Sequence, residues 1–128
     1  MDEVAEAPTR YPGGWQPVRY EERCRRRRNL LADGLTDIVA LCRSRCDIAR
    51  LLVFGSYARD EVSPWSDLDL LVVVDGAVHA AVSAIYAHGA LGEVIGVPAH
   101  NWRERLGRNP FGETILAEAR EAYARSQS

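Results

Sequence analysis

Two aspartates, Asp67 and Asp69, stand two positions apart at the head of an apolar run that ends at Val74, and ten residues separate them from the pair Gly55-Ser56. In an extended strand alternate side chains share a face, so the two carboxylates would lie close together while Leu68 and Leu70 turn to the core. Two like charges held that near each other repel, and a cation between them relieves the repulsion. Oxygen-only ligands suit a hard divalent ion, magnesium above all. Aspartate is depleted in strands. The plainer alternative is a turn-capping Asp67 beside an exposed Asp69. Upstream, Gly55 lets the backbone approach a ligand because it has no Cβ, and Ser56, opening a short helix, offers its hydroxyl and N–H to a phosphate. An acid pair beside a phosphate cradle implies phosphoryl or nucleotidyl transfer.

Two divalent ions carry more charge than two acids balance, so a third acid is expected from a neighbouring strand. Glu93, which opens the run Glu93-Val94-Ile95-Gly96-Val97, is placed for that role; otherwise it is a solvent-facing acid at a strand edge. Arg59, one helical turn beyond Ser56, is in reach of a triphosphate or lies on the surface. Trp65 either stacks on a base or packs. The chain has no lysine, and its 16 basic residues are all arginine. Schiff-base chemistry and lysine-built phosphate loops are thereby excluded.

The elements that must position these residues follow from apolar spacing. Residues 1–20 carry Pro8, Pro12, Gly13, Gly14 and Pro17 and read as an irregular arm; residues 21–128 read as a single domain. Leu31, Leu35, Ile38, Val39 and Cys42 recur at helical spacing within Glu21–Arg45. Ile48–Phe54 is a strand, Ser56–Asp60 a short helix, Leu68–Val74 a second strand, Ala77–His88 a helix and Leu91–Val97 a third strand. Ala99–Leu106 and Phe111–Arg125 complete the chain as helices, with a break at Asn109-Pro110. The expected fold is α/β: a small three-stranded mixed sheet with helices packed on one side.

At 128 residues with 47% hydrophobic and 27% charged residues, one soluble core is expected. The net charge of −2 provides no global field for nucleic acid. Arg23 and Arg25–Arg28 form a local basic patch: a solvated helix start, a partner contact or a weak RNA contact. Cys24, Cys42 and Cys46, an odd number, suggest reduced thiols and a cytoplasmic setting, and nothing completes a zinc set around them. The acidic start Met1-Asp2-Glu3 is unlike a secretory leader, and no apolar run is long enough to span a bilayer.

Leu52-Val53-Phe54-Gly55-Ser56-Tyr57-Ala58-Arg59 and Ser66-Asp67-Leu68-Asp69-Leu70-Leu71-Val72 resemble the nucleotidyltransferase superfamily of the DNA polymerase β type, and more narrowly its minimal nucleotidyltransferases. The tail is similar too, with Trp102 nine residues after Glu93, then Asn109-Pro110-Phe111 leading into a last helix ending near Tyr123. The resemblance implies that Asp67, Asp69 and Glu93 are the catalytic metal ligands for two magnesium ions, with ATP as substrate. It implies that Gly55 and Ser56 hold the β- and γ-phosphates of the nucleotide, beside which Arg59 is the further candidate for phosphate binding. Glu93 stands where the family usually has aspartate, and Asp60 where it often has glycine. Minimal members resemble antitoxins that adenylylate a tyrosine of a HEPN-type toxin, and that partner is the leading expectation. The alternatives are a non-catalytic module that neutralises a partner protein and a transferase acting on a small molecule such as an antibiotic.

Overall fold

The computed structural model describes residues 19–126. The arm expected over residues 1–20 lies almost wholly outside them. The first helix, α1 (Tyr20–Arg43), buries Leu31, Ile38 and Cys42, the stripe that the spacing predicts. Strands β1 (Ile48–Phe54) and β2 (Asp69–Val74) follow, then α2 (Val78–Gly89), β3 (Val94–Pro98), α3 (Trp102–Leu106), α4 (Pro110–Glu118) and β4 (Arg120–Ala124).

The sheet runs β3-β2-β1-β4. The β1–β2 and β1–β4 pairs are antiparallel, and β2–β3 is parallel, joined by the α2 crossover. Mixed α/β architecture is as expected, but a fourth strand is present, and the helices cover both faces instead of one. On one face Leu51, Val53, Leu70, Val72 and Val74 pack with α1 and α2 residues Leu31, Ile38, Ala81 and Ile85. On the other, Leu52, Phe54, Leu71 and Val73 pack against Trp102, Leu106 and Ile115 of α3 and α4. The inner strands β1 and β2 therefore read as nearly unbroken apolar runs because both of their faces are buried. A one-sided sheet would have left Leu52, Phe54, Leu71 and Val73 in water.

The last helix is also shorter than expected. Asn109 caps it, its side-chain oxygen accepting the Gly112 N–H at 2.8 Å, and Pro110 takes the first helical position, where a missing N–H costs nothing. The helix ends at Glu118; Ala119 is extended, and Arg120–Ala124 pairs with β1. Among the described residues no helix is long and apolar enough to cross a membrane.

Candidate functional site

Gly55 leaves the end of β1 with φ +81°, a conformation that side chains other than glycine's rarely adopt. An added Cβ would lie 2.5 Å from Asp69 Oδ2, so the missing side chain is also what lets the Asp69 carboxylate settle over the turn. Ser56 does not open a helix. Residues 56–60 form a single turn, closed by Arg59 N–H to Gly55 O at 3.1 Å and Glu61 N–H to Ser56 O at 2.9 Å. It ends where Asp60 takes φ +60°. A glycine at that position would adopt this left-handed conformation without strain. With one turn and no helix behind it, an anion here would meet individual N–H groups instead of a helix macrodipole.

Asp69 is the first residue of β2, opposite Phe54. Asp67 stands just outside the strand, yet the alternation persists. Leu68 donates its N–H to Leu91 O at 3.0 Å and is buried, while Asp67 is exposed and Asp69 half-buried. Glu93 precedes β3 by one residue. The parallel register sets Leu70 level with Val94, so Glu93 stands beside Asp69 and directs its N–H at Asp69 Oδ1, 3.4 Å away. Gly92 permits this approach, because a Cβ there would come within 2.4 Å of Leu68 O. The backbone thus brings the expected residues Asp67, Asp69 and Glu93 to one end of β2 without drawing their three carboxylates together. Among the described residues no group of three or more His, Cys, Asp or Glu side chains is close enough to hold a metal ion as it stands.

Electrostatics single out Asp69. Burial pushes its proton affinity above the ordinary carboxylate value; Glu93 N–H opposes the rise, the charges of Asp67 and Glu118 add to it, and Arg59 counters them. A divalent cation in this corner would relieve the desolvated charge. The donor set, carboxylate oxygens beside a turn that a Cβ would fill, fits a hard ion with oxygen ligands.

Arg59 is held by two carboxylates of its own chain. Its Nε donates to Glu61 Oε1 and its Nη1 to Glu118 Oε1, each at 2.9 Å. Glu118, absent from the expected site, also accepts the Gly55 N–H through Oε2 at 2.7 Å. Arg27 is a second addition: its Nε donates to Ser66 O at 2.7 Å, and its Nη2 lies 3.6 Å from Asp67 Oδ1. Arg28 lies 3.4 Å from Asp60, and Arg25 and Arg26 pair with Glu22. Part of the arginine run therefore ties the 60–67 segment to α1. Trp65 is 72% exposed and contributes little packing. The sequence marks Arg27 only as part of a basic run and Glu118 not at all, because each acts through a partner at least 39 residues away.

Comparison with known proteins bears on this arrangement. A family model described as "Nucleotidyltransferase domain" matches residues 36–120, which include every site residue named above except Arg25–Arg28. No curated protein sequence matches the chain. Two solved structures superpose with TM-scores of 0.48. One, a toxin-antitoxin with AMP-PNP, shares 14% identity over 72% of this chain and 74% of its own. The other, from Sulfolobus solfataricus and described as a candidate nucleotidyltransferase, shares 20% identity over 88% of this chain and 94% of its own.

Proposed function

The chain belongs to the nucleotidyltransferase domain family, and from that membership we propose that it transfers a nucleoside monophosphate, AMP from ATP, to a hydroxyl acceptor with the help of magnesium. The observation that carries the reading is the contact of Asp69 with the Gly55 turn: one side chain joins the acid pair to the phosphate cradle.

In this reading Asp67 and Asp69, with Glu93 beside them, would hold two magnesium ions. Magnesium bound there supplies charge neutralisation on the phosphates and lowers the pKa of the acceptor hydroxyl. The chain's own groups bind and orient. Gly55 N–H and Ser56 hold the β- and γ-phosphates, and Arg59 neutralises their charge. The acceptor oxygen gives up its proton to solvent water as it attacks the α-phosphorus in line, the bond from that phosphorus to the oxygen bridging to the β-phosphate breaks, and pyrophosphate leaves on the Gly55–Arg59 side. The longer side chain of Glu93, against the usual aspartate, shifts its carboxylate outward by about one C–C bond, and sites of this kind are sensitive to about 0.5 Å. Turnover slower than that of aspartate-bearing relatives is expected, and Glu93→Asp should raise it.

For the acceptor we propose a tyrosine of a HEPN-type toxin in the cytoplasm, with this chain as antitoxin. The support is the resemblance of Gly55-Ser56 and Asp67-Leu68-Asp69 to the minimal nucleotidyltransferases. The test is incubation with α-labelled ATP, magnesium and that toxin, beside an Asp67→Asn/Asp69→Asn double variant. Label on the toxin with the unaltered protein alone establishes the transferase. Neutralisation of the toxin by both proteins without label replaces it with a binding module.

A further inference from the structure

One carboxylate that the proposed chemistry does not use sits on the groups assigned to phosphate. Glu118 accepts the Gly55 N–H through one oxygen and the Arg59 guanidinium through the other, at 2.7 and 2.9 Å. Its side chain is only 16% exposed. Two features make the position unfavourable for an anion. Glu118 is the last residue of α4, where the helix macrodipole is negative. Its charge also adds to the burden on Asp69 nearby. What offsets both is a pair of charge-assisted bonds, and a phosphate oxygen would need those same donors. A single N–H cannot serve both acceptors at full strength.

We propose that Glu118 is a built-in stand-in for a nucleotide phosphate: it fills the anion site formed by Gly55 N–H and Arg59, and must swing out before a triphosphate enters. Glu118 thereby sets the affinity and the selectivity of the site. It keeps the two donors oriented while no nucleotide is bound. It also excludes anions of low charge, which gain too little from the donors to displace a tethered carboxylate, whereas a triphosphate gains enough. This rests on the reading of Gly55 and Arg59 as phosphate ligands.

The experiment is calorimetric titration of inorganic triphosphate into the unaltered protein, Glu118→Gln, Glu118→Asp and Glu113→Gln. Glutamine keeps the shape and can still accept the Gly55 N–H, but it loses the charge that holds Arg59. Glu118→Gln is expected to bind triphosphate at least about ten-fold more tightly, the scale of one charge-assisted contact. Glu118→Asp draws the carboxylate back by one methylene and should also tighten binding, which keeps the test open if the glutamine variant folds poorly. Glu113, exposed in the first turn of the same helix, controls for net charge, and its variant should bind as the unaltered protein does. Equal or weaker binding by the folded Glu118 variants, or a matching gain in Glu113→Gln, overturns the proposal. Transfer from α-labelled ATP, measured on the same proteins, separates the two ideas. Tighter triphosphate binding without transfer leaves Glu118 its role and removes the enzyme; transfer with unchanged affinity does the reverse.

Discussion

Replacing Gly55 by alanine tests the contact on which the site is built. Two separate costs arise. At φ +81° an L-residue is disfavoured by about 1–2 kcal/mol. The new Cβ would also stand 2.5 Å from Asp69 Oδ2, and a normal contact near 3.5 Å requires a shift of roughly 1 Å. Asp69 has little room to yield, since its Oδ1 meets the Glu93 N–H and its backbone lies opposite Phe54 in the sheet. Overpacking of this kind costs about 1–3 kcal/mol. Urea unfolding of four proteins separates the terms: the unaltered chain, Gly55→Ala, Asp69→Ala and the double variant. With Asp69 cut back to alanine, the nearest remaining atom of that side chain, Cβ, is 3.6 Å from the added Cβ, an ordinary contact. Only the backbone term then survives, so the cycle should show a coupling of about 1–3 kcal/mol. Additivity to within about 0.5 kcal/mol would show that Asp69 does not pack on the Gly55 turn, and the joined site would be refuted.

Asp69 carries a raised proton affinity, caused first by burial, so the native state binds more protons than the unfolded chain above the ordinary carboxylate value of 3.8. Stability is therefore lost as pH rises through that window, and Asp69→Asn should be more stable than the unaltered protein at pH 7, with the gain shrinking below pH 3.8; urea midpoints at the two pH values check it, and an undiminished gain at low pH contradicts it. Asp60 at φ +60° should tolerate glycine, losing at most its exposed pairing with Arg28, worth under about 1 kcal/mol. The branched Asp60→Val should cost about 1–2 kcal/mol, read as a lower melting temperature than that of the glycine variant. Burial pushes the Cys42 thiol up to about 11, so in native protein at pH 8 a thiol reagent followed by mass spectrometry should label exposed Cys46 at once and Cys42 only as fast as the fold opens; simultaneous labelling would show that Cys42 is not enclosed.

The parts of this structure legible in the sequence are those fixed by local spacing. The strand Ile48–Phe54 and the buried stripe of Leu31, Ile38 and Cys42 come from period alone. Asp67 and Asp69 keep their alternation even though the strand begins one residue later than expected, because alternation depends on extended backbone and not on strand membership. What local spacing conceals is pairing between distant segments. Ile115, Leu116, Ala119 and Tyr123 fit one helical face, and nothing nearby forbids a helix to Arg125. The open edge of β1 decides otherwise: its backbone groups need a partner, and Arg120–Ala124 supplies one. The site depends on that outcome. Val53 pairs with Arg120 in antiparallel register, and two further steps along it bring Glu118 level with Gly55. Had the helix continued, the chain beyond Glu118 would have left the sheet, and nothing would fix that carboxylate at the mouth of the turn. The β1 edge thus determines both the fourth strand and the placement of Glu118 on the Gly55 turn, and weakening the β1–β4 pair should loosen that hold.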